Sequence, residues 1–219
     1  CLVNTPIVKP KKNTKPFYWS KAVEYLKETD PILSKIIKKF GADKFLVCKK
    51  TLFETFFSII TGQQISIEAA NSIEQRVKQE AKRITPKNLL NLSNNNLRML
   101  GLSYRKVNYI KGIAELILVN PKFFTALCVM NDTDAIISLS KLYGIGPWSA
   151  EMFLIFHYNR QNILPLGDIG LINSFCNNYS IDKKEFLKII AEYKKIWSPY
   201  CTVATWYLWR DIDEDIVQY

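Results

Sequence analysis

Helix start and stop signals constrain this chain more than any other feature. A capping side chain followed by proline occurs at Asp30–Pro31 and again at Thr85–Pro86. Glycines stand at the ends of apolar-periodic runs at Gly41, Gly62 and Gly101. Asp and Thr side chains satisfy the first free amides of a helix, proline is preset for its first turn, and glycine takes the left-handed conformation that closes it. Between these signals the apolar residues recur at helical spacing. Phe53, Phe56, Phe57 and Ile60 form one stripe; Val107, Ile110, Ala114 and Ile117 form a second; Ile136, Leu139 and Leu142 form a third. Strand-like alternation is confined to the short "KFLVCKK" at 44–50. The expected fold is all-α, with roughly ten short helices at the usual helix length.

Composition narrows the partner. Hydrophobic residues make up 48% of the 219, enough for a core, and Lys plus Arg exceed Asp plus Glu by 30 to 20. A net charge of +10 favours a polyanion, either nucleic acid or an acidic membrane surface. The lysines are spread along the chain rather than gathered on one long amphipathic helix, which ranks the membrane last. No apolar run reaches the ~18 residues of a spanning helix, and the N-terminus lacks a signal-peptide pattern. The five cysteines, Cys1, Cys48, Cys128, Cys176 and Cys201, contain no CxxC pair, so no closely spaced zinc or iron–sulfur motif can be drawn. Reduced thiols in an intracellular protein are the simplest account. The single histidine, His157, excludes zinc sites that need two, and a histidine near a helix end is more often satisfied by the dipole than catalytic.

The stretch "SKLYGIGPWSAEMF" reads as helix, hairpin, helix. Gly144 ends the first helix, Gly146 has no side chain to block a close approach, and Pro147 opens the next helix. Amides around Gly144, Gly146 and Ser149 then converge at a helix N-terminus, a setting for a phosphodiester; the alternative is a tight αα-hairpin with no ligand. Twenty residues after Trp148 comes Asp168, in "LPLGDIGLINSF". It suits a helix N-cap, and a cap can also be a fixed anion.

The hairpin with its downstream aspartate resembles the helix–hairpin–helix, Gly/Pro-Asp superfamily of base-excision DNA glycosylases, and more closely the 3-methyladenine DNA glycosylase II branch. "ITGQQIS", "LGLSYRKVNYI", "LPLGDIGL" and "WSPYCTVATWYLWR" extend the resemblance over roughly residues 19 to 210. It implies a two-subdomain helical bundle with a cleft between the subdomains. The expected layout is a basic arm at 1–16 and a single domain at 17–219. Within that domain a central helical subdomain spans about 51–165, and the N- and C-terminal helices pack together.

What the resemblance implies for single residues follows from the matching motifs. Asp168 is the catalytic carboxylate, beside the positive charge that builds on deoxyribose. Strand-cutting relatives carry a lysine where Trp148 stands, so the implied enzyme is monofunctional, with no lyase step. Trp209 is the stacking tryptophan for a cationic base, Trp148 lines the same pocket, and Met152 occupies a position where some relatives carry a tyrosine. Gln64 is the wedge that fills the gap left by a flipped nucleotide, with Gln63 beside it and Ile65 facing inward. Gly144, Gly146 and Ser149 grip phosphate. Backbone carbonyls of Ser140, Leu142 and Ile145 hold a Na+ or K+; no cofactor serves catalysis and no iron–sulfur cluster is expected. Arg105, Lys106 and Lys111 are either phosphate neighbours or a solvated helix face. The implied partner is double-stranded DNA containing alkylated bases, bound by a monomer. A non-catalytic helix–hairpin–helix DNA-binding protein is the alternative.

Overall fold

The computed structural model describes residues 14–212, so Cys1 and most of the expected basic arm lie outside the described residues. The described residues form thirteen α-helices, one short 3₁₀ turn and no strand. The helices are α1 (Trp19–Thr29), α2 (Pro31–Phe40), α3 (Leu52–Gly62), α4 (Ile67–Ala81), α5 (Pro86–Asn91), α6 (Asn94–Met99) and α7 (Tyr104–Val119). Then come α8 (Pro121–Leu127), α9 (Asp132–Ser140), α10 (Pro147–Phe156), α11 (Ile169–Tyr179), α12 (Phe186–Trp197) and α13 (Cys201–Ile212). The protein is all-α, with more and shorter helices than the sequence predicts. No described helix is long and apolar enough to cross a membrane. The chain divides into two compact units: residues 49–153, and residues 14–48 together with 154–212.

In the first unit α3 is central, packed by α4 and α7. Thr51 starts it with a capping box: its hydroxyl accepts from the Glu54 amide while the Glu54 carboxylate accepts from the Thr51 amide. The sequence predicts one apolar stripe here, but every residue from Thr55 to Thr61 is buried. Small hydroxyl residues make this possible. Thr55 and Ser58 donate to the carbonyls of Thr51 and Glu54, both at 3.0 Å, so these two hydroxyls need no water. Phe56 stacks on Phe153 with centroids 4.0 Å apart and meets Phe124 edge-on.

The second unit is built round α13, in which every residue from Cys201 to Leu208 is buried, with α2 and α11 against it. Asp30 fastens this unit. One carboxylate oxygen accepts from the Ile32 and Leu33 amides at 2.9 and 3.0 Å, capping α2; the other accepts from the Tyr179 hydroxyl at 2.5 Å and the Trp197 indole at 2.8 Å. It is 2% exposed and joins three helices. The predicted strand at 44–50 is irregular. Leu46 and Cys48 do alternate inward, but they are held by packing and by the Cys48 thiol donating to Asn159 Oδ1 at 2.8 Å, without a second strand.

Candidate functional site

The hairpin between α9 and α10 lies in the first unit. Leu142 and Ile145 amides donate to the carbonyls of Leu139 and Leu142, each at 3.0 Å, and the chain reverses at Gly144 with φ +84°. A left-handed residue favours glycine, and space demands it too: a Cβ at Gly144 would lie 2.1 Å from the Tyr109 ring, which floors the turn. Gly146 is exposed, with no atom within 4 Å of its missing side chain, so its outer surface is open to close approach. Pro147 opens α10, whose first-turn amides have no acceptor within the helix. Ser149 is buried, and its hydroxyl accepts from Gln63 Nε2 at 3.0 Å. Of its polar groups, the amide is therefore the one suited to an anion.

The residues expected to hold a monovalent cation through their carbonyls lie at the end of α9 and in the turn that follows it. Ser140 Oγ is buried without a partner, Ile145 is buried, and the Leu142 carbonyl accepts one hydrogen bond and keeps a second lone pair. On the same α10, Trp148 is half-buried and Met152 is 1% exposed.

The loop after α3 departs from its sequence-based description. Gln63 turns inward, donating to the Gly144 carbonyl and to Ser149 Oγ, both at 3.0 Å. Gln64 is exposed and takes a left-handed conformation, φ +58°. Ile65, predicted to face inward, is instead exposed, because the left-handed residue before it redirects the chain. Lys106 and Lys111 are half-buried rather than part of a solvated face, and their ammonium groups turn onto carbonyls at helix ends. Lys106 donates to the carbonyls of Thr61 and Gln63 at 2.7 and 2.8 Å, and Lys111 to that of Leu92 at 2.7 Å. Carbonyls at a helix end lack intrahelical donors, and a long ammonium side chain supplies them. Burial lowers the Lys106 pKa from its ordinary value. Arg105 remains exposed.

The carboxylate is in the second unit. Asp168 caps α11: its Oδ1 accepts from the Leu171 amide at 2.8 Å and from the Trp209 indole at 2.8 Å. Two donors on one oxygen fix the rotamer of an anion that is only half-buried. Trp209 is itself seated on Phe156, the rings 5.8 Å apart and 10° from parallel. Gly170 completes the arrangement, since a Cβ there would sit 3.1 Å from Asp168 Oδ1 and 3.3 Å from Trp209 Cδ1. His157, just past the end of α10, meets Tyr158 edge-on.

Sequence reasoning missed Tyr109, Phe156, Gly170 and the inward turn of Lys106. Only Gly170 left a readable signal. A glycine two residues into a helix serves no turn, so it marks a close approach.

The HhH-GPD superfamily of base excision DNA repair proteins matches residues 57–199, more than half of the chain. The chain is 30% identical over 176 residues to YfjP of Bacillus subtilis, covering 77% of this chain and 61% of that protein, less than two thirds of its length. It is 30% identical over 167 residues to DNA-3-methyladenine glycosylase 1 of Schizosaccharomyces pombe, covering 74% of this chain and 73% of the relative. The solved structure of Schizosaccharomyces pombe 3-methyladenine DNA glycosylase (Mag1) in complex with abasic DNA superposes with a TM-score of 0.76 at 26% identity, covering 91% of this chain and 98% of that one. A glycine-turned hairpin, an aspartate anchored at a helix start and these similarities agree: the chain belongs to the HhH-GPD superfamily of base excision DNA repair proteins.

Proposed function

We infer that the protein is a monofunctional DNA glycosylase that flips alkylated purines of the 3-methyladenine type out of duplex DNA and hydrolyses the N-glycosidic bond, leaving an abasic site. The observation that carries this reading is Asp168, held on one oxygen by two N–H donors at the head of α11. Breaking the bond from C1′ to the base sends the electron pair to the base and leaves positive charge on the sugar. A carboxylate that is already oriented stabilises that charge without reorganising. Water then adds at C1′, and its proton passes to the carboxylate or to solvent. Alkylation at N3 or N7 makes the base cationic before it leaves, so no general acid is required. The DNA-3-methyladenine glycosylase and Mag1 names of the relatives support this substrate class.

Phosphate is gripped by the amides around Gly144, Gly146 and Ser149, reinforced by the charge of the chain, +10. A Na+ or K+ on the carbonyls of Ser140, Leu142 and Ile145 would add a positive charge at the same hairpin. Trp148 stands where a Schiff-base lysine would be needed, so the reaction stops at the abasic site. Trp209 in one unit and Trp148 in the other are each proposed to offer aromatic surface to a cationic base, and Met152, buried on α10, is proposed as a further pocket residue. Gln64, exposed at its loop, is the wedge, and the protein acts as a monomer on duplex DNA containing alkylated bases.

The test is base release from methylated duplex DNA by the native protein and by Asp168→Asn, beside binding to DNA with an abasic-site analogue. Release by the native protein only, with both proteins binding, is expected. Binding without release by either would leave a DNA-binding protein in which Asp168 is a helix cap alone.

A further inference from the structure

Gln63 is one of two adjacent glutamines expected at the wedge, yet its amide is committed elsewhere. Nε2 spans the two arms of the hairpin turn, donating to the Gly144 carbonyl in the reversal and to Ser149 Oγ in the first turn of α10, each at 3.0 Å. Its own carbonyl accepts from Lys106 Nζ at 2.8 Å, and the same ammonium holds the Thr61 carbonyl at 2.7 Å. A continuous chain of hydrogen bonds therefore runs from α7 through the end of α3 into the hairpin, all within the unit of residues 49–153.

Each end of the chain is stiff. Gly144 rests on the Tyr109 ring with no room for a side chain, and Ser149 is 3% exposed. On the far side of the loop, Ser66 is fixed as the cap of α4, its hydroxyl accepting from the Ala69 amide at 3.3 Å. Gln64 and Ile65 are the two residues left between these anchors, and both are exposed. Gln64 holds φ +58°, a conformation a non-glycine residue keeps only where its surroundings over-determine it. The clamp on Gln63 and the cap at Ser66 provide that determination.

We propose that Gln63 is a positioning residue: with Lys106 it fastens the loop carrying Gln64 and Ile65 to the phosphate-gripping hairpin, so that DNA capture and extrusion of the base are performed by one rigid body. This rests on the glycosylase reading above and deepens it. Gln63 is thus not part of the wedge. Ile65 takes its place beside Gln64 as the apolar half of the inserting tip. A phosphate held at Gly146 sets where the tip enters the duplex.

The experiment compares the native protein with Gln63→Leu, Gln63→Glu, Lys106→Met and Lys106→Arg. Three quantities are read: single-turnover release of 3-methyladenine at saturating enzyme, affinity for undamaged duplex, and Tm. Gln63→Leu keeps an uncharged side chain of similar bulk and removes both N–H donors. Gln63→Glu sets an anion against the Gly144 carbonyl. Both are expected to lower single-turnover release by about tenfold or more, since small misplacements of a positioning group cost rates of this order. Affinity for undamaged duplex should change by less than about twofold, because the amides that meet phosphate are untouched. Lys106→Met should reproduce the loss, and Lys106→Arg, which can still donate to two carbonyls, should restore most of the rate.

Unchanged single-turnover release in Gln63→Leu overturns the proposal. So does a proportional fall in release, affinity and Tm, which would make Gln63 an element of general stability. A native protein that releases no base refutes the glycosylase reading itself, and that result is distinct from release by the native protein and all variants alike.

Discussion

Adding one methyl group at Gly170 should separate stability from catalysis, because the two respond to it with opposite signs. Gly170 lies in the first turn of α11, where alanine is the better helix former by about 0.5–1 kcal/mol. The new Cβ would meet Asp168 Oδ1 at 3.1 Å and Trp209 Cδ1 at 3.3 Å, each tighter than ordinary contact, so these neighbours must yield by a few tenths of an ångström. Neither can retreat freely. Oδ1 is tied to the Leu171 amide, and the indole is seated on Phe156. Part of the helix gain is lost to crowding, and the remainder leaves Tm unchanged or raised by about 2 °C for a chain of this size. Catalysis has no such compensation. A displacement of ~1 Å in a positioned group costs about a hundredfold, so a few tenths of that should lower single-turnover base release by about three- to tenfold. Release is measured on methylated duplex beside a thermal melt. Unaltered release would refute the reasoning, since the carboxylate would then tolerate movement. A Tm lowered by more than about 5 °C would also refute it, by placing the crowding in the fold rather than at Asp168.

The hairpin and the second unit give three further expectations. Gly144→Ala, which forces a Cβ to 2.1 Å from the Tyr109 ring at φ +84°, should destabilise by about 3 kcal/mol or more and abolish tight duplex binding, as seen by melting and by a DNA titration. Asp30→Ala strands four donors in a site 2% exposed and should cost about 3–5 kcal/mol in urea unfolding; a loss under about 1 kcal/mol would mean water replaces the carboxylate. Burial would raise the Asp211 pKa, but hydrogen bonds from Lys39 and Asn178 outweigh it and hold the group below its ordinary 3.8. A carboxylate with a depressed folded pKa adds stability above the unfolded value, which is lost as pH falls through the folded one. Asp211→Asn should therefore be less stable than the native protein at neutral pH, and the two Tm values should converge as pH falls through the lowered folded pKa.

What could be read from the sequence was local. Asp30 and Thr85 cap their helices as their prolines indicate, and Gly144 turns the chain, because these conformations are decided within a few residues. Asp168 as a cap belongs with them. Contacts made across the fold were hidden. Nothing near Lys106 shows that its ammonium would reach the end of α3, 45 residues earlier, since a lysine on a mixed helix face reads as solvated. The Trp209 indole meets Asp168 over 41 residues, and aromatic spacing in α13 points only to a core. Ile65 is exposed although an apolar residue beside a helix end is expected to turn inward, because the left-handed Gln64 sets its direction. The segment 44–50 alternates in burial, but alternation without a second strand to pair with makes no sheet.

The enclosure of α3 bears on how such a protein could diversify. A helix buried on every side from Thr55 to Thr61 admits few replacements, since any change of volume meets a neighbour in each direction. Just beyond its end, Gln64 and Ile65 stand in the open. The chain therefore joins a segment that is almost immutable to one that is nearly unconstrained in side-chain size. Exchanges at these two positions can alter what enters the duplex while the support behind them stays the same, so new preferences for the base opposite a lesion could arise here without a passage through unfolded intermediates.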